Sequence, residues 1–312
     1  MPECVLTLIF APAAAALAEV AVDIAAAALQ RLGAHVEPRV WLAPGIACDL
    51  GFDGLDVDQA DAAARKALGD RFGAVAIDLV AQPAEGRRKR LLLADMESTI
   101  IANEMLDELA DILGVGPEIA EITRRAMNDE MDFATALRAR VALLKGAPES
   151  ALAVAGERIR ITAGAPALVA TMRAHGAYAV LVSGGFRFYT RPIAAELGFD
   201  LEIANDLLVE DGRLTGFVSE PIRGRDAKLS ALKRIAAEHG LPLAATLAVG
   251  DGANDIAMIE AAGLGIAFHA RPAVAAGARR RIQYNDLTAP LYAQGYRAEE
   301  VVSPQSSVLS RS

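Results

Sequence analysis

Short apolar runs that end in a small or polar residue recur along the chain from residue 91 onward. They read LLLAD, YAVLVSG, TLAVGD and LGIAF, and stretches with helical periodicity lie between them. Continuous apolar runs of this length are typical of parallel strands that are buried on both faces. The pattern therefore predicts an α/β domain built on a parallel sheet.

About 80 residues, most of them with helical periodicity, separate the first of these runs from the second. A simple crossover between parallel strands is much shorter than this. We therefore expect an inserted helical subdomain at about residues 103–157.

The first 84 residues have a different pattern. CVLTLIF predicts a strand, residues 13–32 a helix, HVEPRVWL and GIACDLGF two strands, residues 57–69 a helix, and AVAIDLV a last strand. This βαββαβ order fits a small ferredoxin-like α+β domain. Residues 81–90, AQPAEGRRKR, have the Pro, Gly and basic residues of a linker and no period.

Three segments follow from these patterns. Residues 1–84 form the N-terminal domain, and residues 85–290 form the α/β domain with its helical insertion. Residues 291–312 become Ser-rich and end in SPQSSVLSRS, which predicts a flexible tail.

Composition narrows the classes of function. The 312 residues are 53% hydrophobic and carry a formal net charge of −9, which argues against binding to a nucleic-acid backbone. The Ala-rich start lacks a basic segment and is interrupted by Glu19 and Asp23, so we expect neither a signal peptide nor a membrane span. Cys4 and Cys48 lack the spacing of a metal site. A soluble cytoplasmic protein is expected.

Polar residues follow the predicted strands at their carboxyl ends, where open parallel sheets bind ligands. They are Asp95 and Glu97, then Ser183, Gly184 and Gly185, then Asp251, Asn254 and Asp255, with Lys228 before the last group. Clustered carboxylates repel one another unless a cation lies among them, and Mg²⁺ suits carboxylates together with a substrate phosphate. The Ser-Gly-Gly turn can direct a hydroxyl and N–H groups at phosphate, while the lysine neutralises charge.

Asp95 and Glu97 lie two residues apart on one backbone segment, so they could act as a nucleophile and a proton donor at the same site. A carboxylate can attack phosphorus and form an aspartyl-phosphate. The second acid can protonate the leaving oxygen and later activate water. Taken singly, a strand-end Asp is commonly a helix cap and a lysine a solvated charge. The ordered combination favours phosphate chemistry.

The motifs DMEST, SGGF, a downstream lysine and GDGAND resemble, in that order, the four motifs of the haloacid dehalogenase (HAD) superfamily. NEMLDELAD, ITRRAMNDEMDF and ALRARVALLKG add a closer resemblance to its phosphoserine phosphatase family, over about residues 91–286. The resemblance implies a HAD-type, Rossmann-like sheet core with a helical cap. The first domain weakly resembles ACT-type amino-acid-sensing domains, and a homodimer through it is a further expectation.

The resemblance implies catalytic and metal-binding roles. Asp95 would be the nucleophile and, with Asp251, a carboxylate ligand of Mg²⁺. Glu97 stands where the family has an aspartate acid/base, whose backbone carbonyl also binds the metal. Lys228 would lie beside Asp95 and the phosphate.

The remaining strand-end residues would hold the phosphate. Ser183 and Gly184 would contact it directly, and Asn254 would support phosphate or metal-bound water. Asp255 and Gly185 would lie in the surrounding layer.

In the helical insertion, Glu104 would bind the substrate ammonium and Arg140 its carboxylate, while Met127 and Phe133 would shield the site. Arg138 has the same chemistry as Arg140, so the residues alone leave the choice between the two open.

The predicted function is Mg²⁺-dependent hydrolysis of O-phospho-L-serine to L-serine and phosphate, the last step of L-serine biosynthesis. Two alternatives remain at this stage. One is transfer of the phosphoryl group to a small alcohol such as homoserine. The other is a catalytically weakened amino-acid sensor, which the Glu at position 97 would explain.

Overall fold

Two sheets of different type organise the chain in this computed structural model, which describes residues 2–128, 130–270, 274 and 277–302. One sheet is antiparallel and belongs to the N-terminal domain. The other is parallel, has helices around it and carries the strand-end residues. The predicted α/β class is confirmed.

The N-terminal sheet has the strand order β2-β4-β1-β5, with β3 also paired to β4, and its paired strands are antiparallel. Two helices cover one face, where their apolar residues meet Leu6, Leu8 and Phe10 of the sheet. The elements are β1 (Cys4–Phe10), α1 (Ala18–Arg31), β2 (His35–Val36), β3 (Val40–Ala43), β4 (Ala47–Asp53), α2 (Val57–Phe72) and β5 (Ile77–Pro83).

The helical stretch Pro12–Arg31 is long and apolar enough to cross a membrane by length and composition. Its buried side chains, among them Ala21, Val22 and Leu29, belong to the core of the N-terminal domain. Its apolar character is therefore explained by packing against the sheet.

The second sheet has the order β13-β12-β11-β6-β7-β8, and every pair in it is parallel. Its strands are β6 (Leu91–Asp95), β7 (Tyr178–Phe186), β8 (Leu201–Asn205), β11 (Thr246–Gly250), β12 (Leu264–Phe268) and β13 (Arg281–Ile282). The connections carry α7 (Ala165–Ala174), α8 (Arg187–Leu197), the hairpin β9 (Leu207–Glu210) and β10 (Arg213–Val218), α9 (Arg225–Glu238) and α10 (Ile256–Ala261). The carboxyl ends of β6, β7 and β11 thus meet at one edge.

Of the described α-helices between β6 and β7, the four that precede α7 lie in the region of the predicted insertion, and we call them the cap. They are α3 (Met105–Leu113), α4 (Gly116–Met127), α5 (Phe133–Ala142) and α6 (Ser150–Gly156). In α3 the buried residues Met105, Leu106, Leu109 and Ala110 repeat at helical spacing, which explains why this segment packs as an amphipathic helix.

The C-terminal segment is folded as far as residue 302, so the prediction of a tail from residue 291 is wrong for 291–302. A short helix, α11 (Ala289–Ala293), is buried, and so is Tyr296. The Ala293 carbonyl accepts a hydrogen bond of 2.6 Å from Gln82 of β5. The sequence did not predict this folded segment, because its apolar residues are buried by packing against the N-terminal sheet, which is distant along the chain. Residues 303–312 lie outside the described part.

The two domains share a buried seam centred on Asp78 in β5. Its carboxylate is 2% exposed and accepts backbone N–H groups of Gln283 at 2.8 Å and of Tyr284 and Asn285 at 3.1 Å. Around it, Ile9 and other residues of the N-terminal sheet join the same apolar cluster as the C-terminal segment. This seam fixes the N-terminal domain against the parallel sheet.

Candidate active site

Asp95 lies at the carboxyl end of β6, in the middle of the parallel sheet, and is 4% exposed. The chain then turns sharply, closed by a hydrogen bond of 2.9 Å from the Ile101 N–H to the Met96 carbonyl. Ser98 takes a left-handed backbone conformation in this turn, with φ of 54°. Its hydroxyl donates to Glu104 at 2.6 Å, which ties the turn to the first cap helix.

Lys228 lies between two carboxylates at the centre of the site. Its Nζ is 2.6 Å from Oδ1 of Asp95 and 2.6 Å from Oδ1 of Asp255, and all three side chains are buried. Burial lowers the pKa of Lys228, but the two carboxylates outweigh burial and raise it overall. Lys228 is therefore a fixed positive charge beside Asp95.

Asp95, Asp251 and Asp255 bring carboxylate oxygens within 4.8 Å of one another. The Asp255 oxygens are engaged by Lys228 and by the Gly252 N–H, at 2.6 and 3.0 Å. Burial, followed by repulsion from Asp255, raises the pKa of Asp251 to about 6. The same two causes raise the pKa of Asp95 well above its usual value, against the effect of Lys228. Such crowded hard oxygens fit a divalent cation.

Glu97 points back across the site from the turn after β6. Its Oε1 accepts the N–H of Met105 at 2.8 Å, in the first turn of α3. Its Oε2 occupies the space beside Gly185, because a Cβ added to Gly185 would lie 2.7 Å from this oxygen. Burial, and then the nearby Glu104, raise the pKa of Glu97 to about 8. The longer side chain of glutamate is thus accommodated by the helix start and by a glycine.

Ser183 ends the regular part of β7 and is 1% exposed. Its hydroxyl accepts the Gly185 N–H at 2.9 Å, which shapes the Ser-Gly-Gly turn. The Phe133 ring, at the start of α5, covers this turn, because a Cβ on Gly184 would lie 3.0 Å from it. The cap therefore touches the strand edge at this turn.

The structure separates the two candidate arginines. Arg140 is partly buried, and Glu97, Asp107 and Glu104 are its charged neighbours. Burial lowers its pKa against the effect of these carboxylates. Arg138 is exposed and pairs with Glu220 at 2.5 Å. Only Arg140 of the two faces the cluster.

The remaining predicted residues lie around this centre. Asn254 is partly buried, and its amide oxygen occupies the space beside Gly252. Glu104 immediately precedes α3 and influences the pKa of both Glu97 and Asp251. Met127 ends α4, and its side chain is outside the described part of the structure.

Two buried residues near the site were missed from the sequence. Asn205 ends β8 and is 0% exposed, so the strand-end rule that found Asp95 could have found it. Tyr189 of α8 is 1% exposed, and its hydroxyl has no hydrogen-bond partner among the residues that the structure describes. Burial, and then Glu97, raise the pKa of Tyr189. Tyr189 lies in the mixed sequence RFYTRPIAAEL, whose order gives no sign that its ring faces Glu97.

Comparison with known proteins identifies the family. Residues 92–260 match the family model of haloacid dehalogenase-like hydrolases. The chain belongs to this family. The matched region begins in β6 and includes the HAD strand-end acids, the Ser-Gly-Gly turn, the central lysine and the cap.

Individual relatives of this HAD hydrolase are named phosphoserine phosphatase. One from Streptomyces coelicolor is 38% identical over 88% of this chain and 67% of its own length. Another from Streptococcus thermophilus is 47% identical over 64% of this chain and 93% of its own length. A solved structure described as a phospho-aspartyl intermediate analogue of phosphoserine phosphatase has a TM-score of 0.61 and 41% identity. It covers 66% of this chain and 98% of its own.

Proposed function

We propose that this HAD hydrolase converts O-phospho-L-serine and water into L-serine and phosphate through an aspartyl-phosphate on Asp95. The observation that carries the proposal is the buried pair of Asp95 and Lys228, 2.6 Å apart at the sheet edge, with Glu97 close enough to both Lys228 and Arg140 for their charges to lower its pKa. The phosphoserine phosphatases among its relatives supply the substrate.

Asp95 attacks phosphorus, and the phosphorus–oxygen bond to serine breaks. Lys228 holds the attacking carboxylate in place and lowers its pKa against burial and the neighbouring acids, and a bound Mg²⁺ would add the positive charge that favours its ionised form. Glu97 gives its proton to the departing serine oxygen, and the raised pKa of about 8 keeps that proton available near neutral pH. The Glu97 carboxylate then takes a proton from the water that hydrolyses the aspartyl-phosphate.

Mg²⁺ fits the donor set of Asp95, Asp251 and the backbone carbonyl of Glu97. When bound, it supplies positive charge for the phosphate and for the crowded carboxylates. Asp255 would lie in the layer around this set, where its two oxygens hold Lys228 and the Gly252 N–H.

The amino-acid end of the substrate lies toward the cap. Glu104 binds the ammonium group, and Arg140 binds the carboxylate. Ser183, Gly184 and Asn254 hold the phosphate. Phe133, together with Met127, shields the site from water.

The relatives favour hydrolysis over phosphoryl transfer, because the names they carry are those of phosphatases. The reaction would take place in the cytoplasm and complete L-serine biosynthesis. A catalytically weakened sensor is less consistent with a cluster in which Asp95, Lys228, Asp251 and Asp255 are all present and in contact range.

Phosphate release from a panel of phosphomonoesters, with Mg²⁺ or with EDTA, tests the proposal. We expect phosphoserine to be the preferred substrate, EDTA to abolish turnover and Mg²⁺ to restore it. Beryllium fluoride should trap wild type at Asp95, and Asp95→Asn should neither turn over nor trap. Full activity without metal, or trapping at another residue, would reject the mechanism. Added homoserine accepting the phosphoryl group would reject simple hydrolysis.

A further inference from the structure

Asn205 is a fully buried side chain with both ends of its amide hydrogen-bonded. Its Nδ2 donates to the Gly184 carbonyl at 2.8 Å and to the Arg223 carbonyl at 3.0 Å. Its Oδ1 accepts the Arg223 N–H at 2.6 Å. These three bonds fix the orientation of the amide, because a flipped amide would place oxygen against two carbonyls.

The two segments that Asn205 joins belong to different parts of the site. Gly184 follows Ser183 in the turn after β7. Arg223 precedes Gly224, the residue before α9, and α9 carries Lys228. Asn205 itself ends β8, at the outer edge of the parallel sheet. One amide therefore sets the spacing between the Ser-Gly-Gly turn and the start of the lysine helix.

The cap rests on the same two segments. A Cβ on Gly184 would lie 3.0 Å from the Phe133 ring, and a Cβ on Gly224 would lie 2.6 Å from it. The ring thus packs against Gly184, which Asn205 binds directly, and against Gly224, which follows the Arg223 that Asn205 binds. A change in their spacing would also move the surface on which the cap closes.

We propose that Asn205 is a positioning residue for the phosphate end of the site. It acts through the Gly184 and Arg223 backbones, and it touches neither substrate nor the reacting atoms. The inference rests on the proposed phosphate chemistry, but not on serine as the alcohol. Loss of Asn205 should weaken binding of the phosphate group whatever that group is attached to, since a misplacement of about 1 Å costs up to about 100-fold.

The test compares Asn205→Ala and Asn205→Asp with wild type. Asn205→Asp keeps the volume and the acceptor but sets oxygen against the two carbonyls. It can therefore replace the alanine variant in this test if that variant folds poorly. Asn285→Ala is the matched control, since Asn285 donates to the Ile9 carbonyl at 3.1 Å and to Asp78 at 2.8 Å in the domain seam. The probe is inorganic phosphate with Mg²⁺, measured by calorimetry well below the melting temperature.

We expect phosphate affinity to fall about tenfold or more in both Asn205 variants and to stay within about twofold in Asn285→Ala. KM should rise by the same factor for phosphoserine and p-nitrophenyl phosphate. A purely structural role would lower kcat through loss of folded protein and leave phosphate affinity unchanged, which would overturn the proposal. So would an equal loss in Asn285→Ala. If wild type binds phosphate but does not hydrolyse phosphoserine, the proposed substrate fails while the phosphate measurement still decides the role of Asn205.

Discussion

Glu97 shows how one longer side chain is built into a crowded site. Its carboxylate reaches the first turn of α3, where it accepts the Met105 N–H, and it lies over Gly185, which leaves room for it. The start of a helix stabilises a carboxylate, and this contact also ties the proton donor to the cap. Position, more than acidity, decides whether glutamate can replace aspartate here.

Turnover of Glu97 variants tests that role. We expect Glu97→Gln to lose at least about 100-fold in kcat, because the proton donor is gone. Glu97→Asp should stay within about tenfold of wild type, since the acid and the backbone carbonyl remain. Steady-state kinetics with phosphoserine measure both. An unimpaired Gln variant would exclude Glu97 as the acid, and activation by Asp would favour the weakened-sensor alternative.

The raised pKa of Glu97 also predicts a pH dependence of stability. Its pKa is about 8 in the folded protein, against a usual value of 4.5, so the folded protein retains the proton between these values and the unfolded chain does not. The contribution of Glu97 to the free energy of unfolding is full below about 4.5 and is lost as pH rises through about 8. With EDTA present, the melting temperature of wild type should fall relative to Glu97→Gln over this range. Parallel curves would contradict the shift.

Arg140 and Arg138 form a natural comparison at the substrate end. Removing Arg140 should cost phosphoserine turnover about 2–5 kcal/mol in kcat/KM, as for a lost partner of a buried charge. It should cost an aryl phosphate much less, since that substrate has no carboxylate. Arg138→Ala is the control and should change neither, because Arg138 is exposed and pairs with Glu220. Equal losses on both substrates would place Arg140 outside the binding site.

The pattern of strands predicts the centre of the site better than its periphery. Asp95, Ser183 and Asp251 each end a buried apolar run, and parallel strands must bring such ends together. The choice between Arg138 and Arg140 depends on which side of α5 meets the sheet edge. That orientation comes from tertiary packing, which a two-residue spacing cannot specify.

At the scale of elements, α5 meets the sheet edge through one ring on two glycines. Gly224 has φ of −120°, so its role is to leave space and not to relieve backbone strain. An alanine there would place its Cβ 2.6 Å from the Phe133 ring. The contact of Phe133 at this point therefore requires that position 224 carry no side chain.

Gly224→Ala should displace Phe133 and lower kcat/KM by about tenfold or more, given the sensitivity of catalysis to shifts of about 1 Å. Gly116→Ala is the matched control, since a Cβ there meets no atom within 4 Å. The measurement is kcat/KM of both variants, and their melting temperatures show whether either variant is unfolded. Normal activity in Gly224→Ala would mean that cap contact at this point is dispensable.

Element prediction from sequence failed where burial comes from another domain. Most strands of the two sheets have local apolar patterns, and the sequence predicts them, but β8 and the two-residue β13 are not among the predicted strands. By contrast, α11 is short, and its apolar residues pack with the N-terminal sheet as well as with α7. A five-residue helix carries too little periodicity to be distinguished from a tail.

At the scale of the whole molecule, the N-terminal domain is joined by a buried seam to a site that it does not enter. None of the described site residues lies in 1–84. A homodimer through this domain stays a prediction, and any such contact must use surfaces other than the seam.

A fragment beginning at residue 85 should keep Mg²⁺-dependent turnover per folded molecule but melt at a lower temperature, because it exposes the apolar seam. Asp78→Ala weakens the contact between the two domains without removing the N-terminal domain. It leaves buried N–H groups without an acceptor and should cost about 1–3 kcal/mol of stability, with kcat unchanged at low temperature. Asp70→Ala is the control, since Asp70 is exposed and pairs only with Lys66 at 2.6 Å among the described residues. A fragment that folds fully yet is inactive would show that the first domain helps to form the site.

The seam also sets an order of events during synthesis. The N-terminal sheet is complete as soon as β5 has left the ribosome, but Ile9, Leu42 and Val80 on its outer face are covered by residues near the other end of the chain, including Leu291. Until those residues emerge, the nascent protein presents an apolar sheet face to the cell. Premature termination shortly before α11 would therefore harm the domain that was made first, and would leave a product that chaperones and proteases recognise.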